Sequence, residues 1–598
     1  MKSKTTILAF CALLSSFAVS STAELDVKLL PSPFLDNAMR ERAFMDSLDV
    51  RALTRMFRVT SGLANPDDDT GVYRFLGGWE SDGIELRGHT CGHWLSGMAS
   101  LYELTRDERV KTRAAEVVHI LSECQKANGN GYLSAFPESD IDKIIRGERV
   151  WAPWYVLHKI LAGLIDQYEI CANAEALDVA RKFGDWMYAK VVPLSAEETA
   201  TMKRREFGGI RESLIRLAAI AGDAKYRKAA DVFIDGTIYG PLNGKHANTL
   251  IPKVIADARS GSKEDALRFW NDVTAHYMYA PGCVSTKEAF RGPNRQAEFL
   301  TGVTGETYCT YNLPKLSRLL FDAYGYADFA DYQERAVWNH ILGQMEPIDG
   351  RLTYFLPVMT GSYKLQNRSN DSFWCCVGSA MESHTRYQRL VFAERNGSLY
   401  VNNFIPAEIK WNGLTLRLDT RFPEEESARL VVLEGDCEAT INIRRPFWLA
   451  NHTGHSDYDS RSRRWKKGDT IEIPLPCRFH EENAGENRTA VFYGPILMAA
   501  RLGVEGIRKD ALRSTNYYTH DYSVPEKLSK VVYFPPETWR RLDKPASPDP
   551  GMDGASPEPA EDFAEPSFMM PSGLVVAPLS AIHGERYAVY FNRDSDEP

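Results

Sequence analysis

The sequence predicts a multidomain α plus β protein in which a closed helical toroid precedes antiparallel β-sandwich domains. From about residue 86 to residue 387, apolar residues recur at helical spacing. Beyond residue 387 apolar and polar residues alternate, as they do in half-buried strands. A chain of 598 residues, of which 44% are hydrophobic, is also long enough to form several cores.

Repeated helix pairs make up the helical part. Each pair has an apolar helix, a short break containing Gly, Asn or Asp, and an Ala-rich helix; the pairs occupy residues 91–125, 154–188, 212–234 and 313–342. Such pairs must pack on neighbours, either in an open solenoid or in a closed α/α toroid. The intervening segments are long and rich in Gly, Pro and His, which favours a closed barrel over residues 24–387 with functional loops at one rim.

Short alternating segments bounded by Gly, Asn or Pro follow the helical part, for example residues 397–411, 414–422 and 470–476. They predict a β-sandwich domain over residues 388–489. A second β segment starts at residue 490 and predicts a further sandwich-like domain over residues 490–598. Within it, residues 542–567 are rich in Pro and acidic residues, and we expect a mobile excursion or linker there.

The N-terminus has the pattern of a secretory signal peptide. Lys2 and Lys4 precede an apolar run that ends in the small residues Ser21, Thr22 and Ala23. We therefore predict a signal peptide over residues 1–23 and a secreted or periplasmic protein, in which disulfides are possible. No later stretch has the length and apolar character of a membrane span.

The overall charge excludes some partners. The net charge is -9 and the pI is near 5.9, with no basic run. This argues against nucleic acid or an anionic membrane as a partner. The 12 Trp and 27 Tyr are compatible with sugar stacking, although ordinary core packing explains most of them.

Two adjacent cysteines, Cys375 and Cys376, lie in the segment "DSFWCCVGSAMES". Neighbouring cysteines do not form a relaxed disulfide with each other. Either one of them pairs with a distant cysteine, or both sulfurs face one reactive centre such as a metal. Cys309 follows Glu306 by three residues, so that on a helix both side chains share a face. These four residues offer three sulfurs and one oxygen, which suits tetrahedral zinc.

Other polar residues lie at predicted loops or helix starts and could line a sugar pocket. They are His89, His93, His158, His246, Asn248, Glu288, Glu306 and Glu334. Histidines and carboxylates of this kind supply hydrogen bonds and proton transfer to a carbohydrate.

Several sequence blocks resemble those of the zinc-cysteine β-L-arabinofuranosidases, glycoside hydrolase family 127 and its relative family 146. The blocks include "CGHWLSGMASLY", "WAPWYVLHKILAGL", "GKHANTLIPK", "GETYCTYNLPKL" and "FWCCVGSAMESHTRY", and they occur in order over residues 89–387. "SLYVNNFIP", "FYGPILMA" and "ERYAVYF" extend the likeness over nearly the whole mature chain. The resemblance implies an (α/α)6 barrel followed by β-sandwich domains.

The resemblance also implies a retaining mechanism in which a zinc-bound thiolate replaces the second carboxylate of most glycosidases. It assigns Cys375 as the nucleophile and Glu288, 18 residues before Glu306, as the acid/base. Glu306, Cys309, Cys375 and Cys376 would hold Zn²⁺, and His158, His246, Glu334 and Tyr354 would contact substrate.

One residue departs from the family pattern. The family spells Glu-x-Cys in this block, whereas here Tyr308 holds the cysteine position and the cysteine follows at Cys309. A shift of one residue on a helix rotates a side chain by about 100°. Cys309 then reaches the metal only if the backbone adjusts; otherwise the site binds zinc weakly, uses another ligand or has lost the original activity.

Three functions remain open at this point. The first is a secreted exo-acting glycoside hydrolase that removes terminal β-L-arabinofuranose, or a related furanoside, from oligo- or polysaccharides of plant type. The second keeps the chemistry but acts on another sugar, such as a branched acidic pectin sugar that Arg291 could bind. The third is a non-catalytic glycan-binding protein, which the displaced Cys309 favours and the retained Glu288, Cys375 and Cys376 oppose.

Overall fold

A computed structural model describes residues 25–66, 76–368, 370–452, 454–517, 523–542 and 565–593. The predicted signal peptide over residues 1–23 lies outside the described residues. So does most of the predicted Pro-rich excursion, since residues 543–564 are also outside them.

The α-helices come first along the chain. They are α1 (Pro33–Ser47), α2 (Val50–Thr60), α3 (His89–Thr105), α4 (Glu108–Asn128), α5 (Ser139–Ile145), α6 (Pro153–Cys171), α7 (Ala174–Val191), α8 (Ala196–Met202), α9 (Ile210–Ala221), α10 (Ala224–Val232), α11 (Ala247–Ser260), α12 (Lys263–His276), α13 (Thr307–Tyr324), α14 (Asp328–Ala336), α15 (Leu342–Gln344), α16 (Cys375–Ser383) and α17 (Gln388–Val391). A π-helical turn, Val337–Ile341, joins α14 to α15.

Six of these helices form a closed inner ring. α3 packs on α6, α6 on α9, α9 on α11, α11 on α13, α13 on α16, and α16 packs back on α3. An outer helix contacts each inner one: α4, α7, α10, α12, α14 and, beside α16, α1. The predicted (α/α)6 barrel is therefore confirmed.

Local sequence explains how the pairs form. The polar breaks predicted between paired helices are N-caps of the outer helices: Asp107 caps α4, Asn173 caps α7 and Asp223 caps α10, each accepting a backbone N–H with its side chain. The inner helices approach closely where glycines meet. A Cβ at Gly92 would lie 2.3 Å from the backbone of Lys159, and one at Gly163 would lie 2.6 Å from the carbonyl oxygen of Gly92.

The β-strands are β1 (Asp26–Leu29), β2 (Phe392–Arg395), β3 (Ser398–Val401), β4 (Ala407–Trp411), β5 (Leu414–Thr420), β6 (Ser427–Glu434), β7 (Asp436–Arg445), β8 (Asp457–Lys466), β9 (Thr470–Pro474), β10 (Phe479–Gly485), β11 (Arg488–Tyr493), β12 (Ile496–Gly503), β13 (Arg540–Arg541), β14 (Phe568–Met569), β15 (Val575–Pro578), β16 (Arg586–Ala588) and β17 (Tyr590–Asn592).

Two sheets build the middle domain, with strand orders β1-β4-β5-β6-β9 and β2-β3-β7-β8. Pairing is antiparallel except between β3 and β7. Inward residues of both sheets, such as Leu399, Leu416 and Ile441, belong to one buried cluster, so the domain is a sandwich. β1 precedes the barrel in sequence but pairs with β4, which places the chain's first described strand in this domain rather than in the helical one.

The C-terminal sheet has the order β10-β11-β12-β15-β14-β13, with β16 on β12 and β17 on β11. It starts at Phe479, not at the predicted boundary of residue 490, because β10 pairs with β11. Its face packs on the barrel, where Phe492 and Tyr590 share a buried cluster with Tyr279 and Leu356. Within the described ranges, no helix has both the length and the apolar character required for a membrane span.

Candidate active site

A cleft opens at the N-terminal ends of the inner helices. About 550 Å³ of space lies between its lining side chains, and part of this space is open to solvent. The side chains that line it include Trp79, Trp151, Tyr155, Glu206, His246, Asn248, Glu288, Tyr308, Tyr354, Cys375 and Tyr517. Tyr155, Asn248, Tyr308 and Cys375 all lie in the first turn of an inner helix. Ring closure therefore brings residues from distant parts of the sequence to one place.

Glu306, Cys375 and Cys376 form a buried group beneath this cleft, and Cys375 is the member that lines it. One donor atom from each residue lies within 4.8 Å of the other two, an arrangement that could hold a metal ion. The Cys375 sulfur is 4.0 Å from the Cys376 sulfur and 4.0 Å from Oε1 of Glu306. Glu306 is the N-cap residue of α13 and accepts a hydrogen bond of 2.7 Å from the Asn248 side chain.

The disulfide alternative is not observed. All nine cysteines in the described residues are free, including Cys375 and Cys376. The structure instead brings both sulfurs of the pair to Glu306, as the metal hypothesis predicts.

The structure sets Cys309 apart from the other three predicted ligands. Its thiol donates a hydrogen bond to the other carboxylate oxygen of Glu306, Oε2, at 3.2 Å. Cys309 itself lies outside the three-residue group. Its side chain packs in a different apolar cluster, with Leu313 and Tyr332. The cleft at this turn of α13 is instead lined by Tyr308. The one-residue shift, which turns the side chain by about 100°, accounts for the change.

The donor group is suited to a cation. Burial, followed by the charge of Glu288, raises the pKa of Glu306 to about 8. Burial also raises the pKa of the Cys375 thiol, and raises that of Cys376 well above its usual value. Three anions crowded together away from water are unfavourable unless a cation compensates them. Two thiolates and one carboxylate fit zinc, with a fourth position left for another donor.

Glu288 and Tyr354 lie next to the sulfur of Cys375. The Tyr354 hydroxyl is 2.5 Å from Oε1 of Glu288 and 3.5 Å from the Cys375 sulfur. Glu288 follows Lys287 in a turn in which both residues have positive φ, 50° and 64°. Such backbone is uncommon for residues other than glycine and is concentrated at functional sites.

His246 completes this side of the cleft. Its Nε2 lies 3.4 Å from Oε2 of Glu288. Burial alone would lower the pKa of His246, but the hydrogen bond to Glu288 and the charges of Glu206 and Glu306 raise it to about 9. A protonated imidazole here places one positive charge among three carboxylates.

Two predicted substrate residues lie one layer behind the cleft. His93 is fully buried; its Nδ1 is 2.7 Å from Oε1 of Glu382 and its Nε2 is 3.0 Å from the hydroxyl of Tyr155. His158 packs under Gly209, where a Cβ would lie 2.3 Å from the His158 ring. Both histidines position residues that line the cleft rather than lining it themselves.

Glu334 does not line the cleft, although the sequence predicted that it would contact substrate. It is 2% exposed and lies between the barrel and the middle domain. Its carboxylate accepts hydrogen bonds from Arg444 at 2.5 Å and from the indole N–H of Trp448 at 2.8 Å. Asp331 is the second carboxylate paired with Arg444. Glu334 thus joins two domains.

Sequence reasoning missed several cleft residues. Glu206 precedes α9 in a loop and adds a second carboxylate, besides that of Glu288, to the cleft lining. Its only sequence signal is an acidic residue just before a Gly-Gly pair at a helix start. Tyr517 arrives from the segment after β12, and its ring stacks on Tyr354 with centroids 3.9 Å apart. No motif in its neighbourhood predicts this role.

Comparison with known proteins identifies the family. Residues 26–389 match the model of the β-L-arabinofuranosidase GH127 catalytic domain, and residues 398–477 match that of the GH127 middle domain. The first match covers more than half of the chain. The protein therefore belongs to the GH127 β-L-arabinofuranosidase family, a family of glycoside hydrolases.

The relatives are distant. The non-reducing end β-L-arabinofuranosidase of Bifidobacterium longum subsp. longum is 21% identical in an alignment of 441 positions. The alignment covers 62% of this chain and 66% of that protein. The match thus spans just under two thirds of that relative.

Solved structures share the fold over nearly the full length. One described as a GH127 β-arabinofuranosidase has a TM-score of 0.69 at 17% identity, covering 95% of this chain and 97% of that one. A GH127 β-L-arabinofuranosidase from Geobacillus stearothermophilus T6 also has a TM-score of 0.69, at 16% identity, covering 95% and 100%.

The placement of Glu334 gives a testable prediction. Glu334→Gln should lower the melting temperature by several degrees, because it removes a charge buried against Arg444. It should leave KM for a chromogenic β-L-arabinofuranoside within about twofold, since the side chain is remote from the cleft. Glu434→Gln, at an exposed glutamate on β6, is the matched control. An unchanged melting temperature together with a large rise in KM would restore Glu334 to the substrate site.

Proposed function

We propose that this protein is a retaining exo-glycoside hydrolase that releases terminal β-L-arabinofuranose from oligo- or polysaccharides, with Cys375 as nucleophile and Glu288 as acid/base. The observation that carries the proposal is the contact of one phenol, that of Tyr354, with both groups. The Cys375 sulfur and the Glu288 oxygen are at most 6.0 Å apart, the sum of the two distances of 3.5 Å and 2.5 Å.

This separation favours retention of configuration. Retaining glycosidases hold their two catalytic groups about 5–5.5 Å apart, whereas inverting enzymes need roughly 6.5–9.5 Å to admit a water molecule. With at most 6.0 Å between them, Cys375 and Glu288 leave room for a sugar carbon but not for an additional attacking water.

In the first step the Cys375 sulfur forms a bond to the anomeric carbon while the bond from that carbon to the glycosidic oxygen breaks. Glu288 donates its proton to the departing oxygen, and Tyr354 stabilises the resulting carboxylate with its hydroxyl hydrogen bond. In the second step Glu288 takes a proton from water. The water oxygen attacks the anomeric carbon, the carbon–sulfur bond breaks, and Cys375 leaves as a thiolate.

Zinc would be held by Glu306, Cys375 and Cys376, and when bound it would keep the thiols ionised at neutral pH. That effect opposes the burial that raises the pKa of both thiols. Asn248 and Cys309 each donate a hydrogen bond to one oxygen of Glu306 and so orient its carboxylate. They supply the outer contacts that fix a ligand in place.

The cleft favours an exo mode and a neutral sugar. Behind Tyr155 and Gly209 the barrel is filled by buried side chains such as His93, so the cleft is closed at its inner end. Its described lining residues include two glutamates, Glu206 and Glu288, and no lysine or arginine. Arg291, which could have favoured an acidic sugar, donates to the carbonyl oxygen of Thr286 instead. The imidazole of His246, the remaining basic group among the described lining residues, is already paired with Glu288.

The signal pattern of residues 1–23 supports export, so we propose that the enzyme acts on glycans outside the cytoplasm. The non-catalytic alternative is less consistent with the site, because a protein that only binds glycans has no need for a glutamate and a cysteine held by the same tyrosine hydroxyl.

The decisive test combines turnover with covalent labelling. The purified protein should release arabinose from aryl β-L-arabinofuranosides, with the β-anomer as the first product seen by NMR. A sugar-like electrophile should label Cys375 within the peptide of residues 373–386, and fragmentation should exclude Cys376. A label on a carboxylate would overturn the thiolate mechanism, and tight sugar binding without turnover would favour the glycan-binding alternative.

The acid/base role of Glu288 predicts a dependence on the leaving group. Glu288→Gln should lower kcat/KM about 10²- to 10⁴-fold for a natural disaccharide, which needs a proton on its leaving oxygen. The rate of the first step with a dinitrophenyl glycoside should fall much less. Added azide should restore turnover by forming a β-glycosyl azide. Glu206→Gln, in the same cleft, should affect both substrates alike. If Glu288→Gln lost activity equally on both substrates, Glu288 would not be the acid/base.

The ligand set predicts about one zinc per chain with two sulfur donors. Cys376→Ser should abolish zinc binding, whereas Cys309→Ser should retain it, because the Cys309 sulfur lies outside the group. Metal analysis and the sulfur count from X-ray absorption spectroscopy measure this directly. Cys124→Ser, at a buried free cysteine on the outer helix α4, controls for folding. Three sulfurs per zinc, or zinc loss in Cys309→Ser, would return Cys309 to the ligand set.

A further inference from the structure

Three aromatic side chains from separate parts of the chain line the same cleft: Trp79, Trp151 and Tyr517. The rings of Trp79 and Trp151 meet edge to face with centroids 5.0 Å apart. The centroid of the Tyr517 ring lies 5.6 Å from that of Trp79. Together they form one continuous apolar surface, which we call the aromatic wall.

The aromatic wall is anchored to the catalytic segment. The backbone N–H of Trp79 donates to the carbonyl of Ser372 at 3.2 Å, three residues before the nucleophile. This contact is close enough to require glycine at position 78, where φ is 57° and a Cβ would lie 2.3 Å from the same carbonyl oxygen. On the other side, Tyr517 stacks on Tyr354 in nearly parallel planes, 7° apart.

Trp151 is held separately and remains open to solvent. Its backbone N–H donates to the carboxylate of Glu85 at 2.5 Å. Its side chain is 42% exposed, whereas Tyr308 and Tyr354 in the same cleft are 3% and 2% exposed. Trp151 therefore marks the mouth of the cleft, and the buried Cys375 marks its inner end.

Position along the cleft determines which part of a substrate meets Trp151. A sugar whose anomeric carbon reaches the Cys375 sulfur fills the inner end. Because the inner end is closed, everything attached beyond the glycosidic oxygen must leave through the mouth, past Trp151. A large aromatic ring held at that point presents a flat apolar face to the C–H face of a sugar ring. Single exposed aromatic residues are common, but this one packs on the ring of Trp79, which in turn contacts that of Tyr517.

We propose that Trp151, supported by Trp79, forms a leaving-group subsite that binds the sugar next to the cleaved bond by stacking. This proposal rests on the function proposed above. It assigns the enzyme a preference for substrates with a neutral sugar, rather than a small alkyl group, on the departing oxygen.

The test compares two substrates that differ only in the leaving group. Trp151→Ala should raise KM about tenfold for a disaccharide ending in β-L-arabinofuranose, the loss expected for one aromatic contact. It should change kcat/KM for methyl β-L-arabinofuranoside by less than twofold, because a methyl group does not reach the mouth. The KM of Trp151→Phe for the disaccharide should lie between those of the wild type and Trp151→Ala. Tyr326→Ala, at a 52% exposed residue that does not line the cleft, is the control.

Equal losses on both substrates would overturn the subsite, since Trp151 would then shape the inner cleft. No loss on either substrate would overturn it as well. If the wild-type protein hydrolyses neither substrate, the function proposed above fails, and binding decides the subsite by itself. In that case an arabino-oligosaccharide should quench the tryptophan fluorescence of the wild type but not that of Trp151→Ala. The absence of quenching in both proteins would reject the subsite.

Discussion

Closure of the six inner helices into one ring is the constraint on which the rest of the structure depends. Glycines set the distance at several contacts: Gly92 and Gly163 let α3 and α6 approach each other, and Gly378 lets α16 pack on the ring of His93. Because the inner helices begin at the same end of the barrel, their first turns converge on the cleft. The partial positive charge of helix N-termini then lies near a group of potential anions.

Where the first turns of the inner helices meet, the burial of the side chains opposes the ionised forms that the proposed chemistry requires. Glu306, Cys375 and Cys376 lie where water is excluded, and burial raises the pKa of each. The proposed role of Cys375 as nucleophile requires its sulfur as a thiolate, the form that burial disfavours. A bound cation would reconcile the two requirements, and His246, with its pKa raised to about 9 by Glu288, Glu206 and Glu306, adds a further positive charge beside Glu288. The same exclusion of water strengthens every hydrogen bond made by Tyr354.

The ring also explains why one residue of displacement matters. At the start of α13 the cleft and the neighbouring apolar cluster lie on different sides of the helix, so Tyr308 faces the cleft while Cys309 packs with Leu313. Glu306, one turn earlier, contacts both sides through its two oxygens. The chain keeps a cysteine near the site, and its thiol donates a hydrogen bond to Glu306.

The sequence by itself determined the local and periodic features. Helical and strand periods separated the barrel from the β domains, polar breaks marked the caps of the outer helices, and the block resemblance placed Glu288, Glu306, Cys375 and Tyr354 in one site. Tertiary structure alone decided the rest. β1 joins the middle domain, Glu334 pairs with Arg444, and Tyr517 stacks on Tyr354. Each depends on a partner more than 100 residues away, and such contacts leave no periodic or local signal because they are set by how whole elements pack.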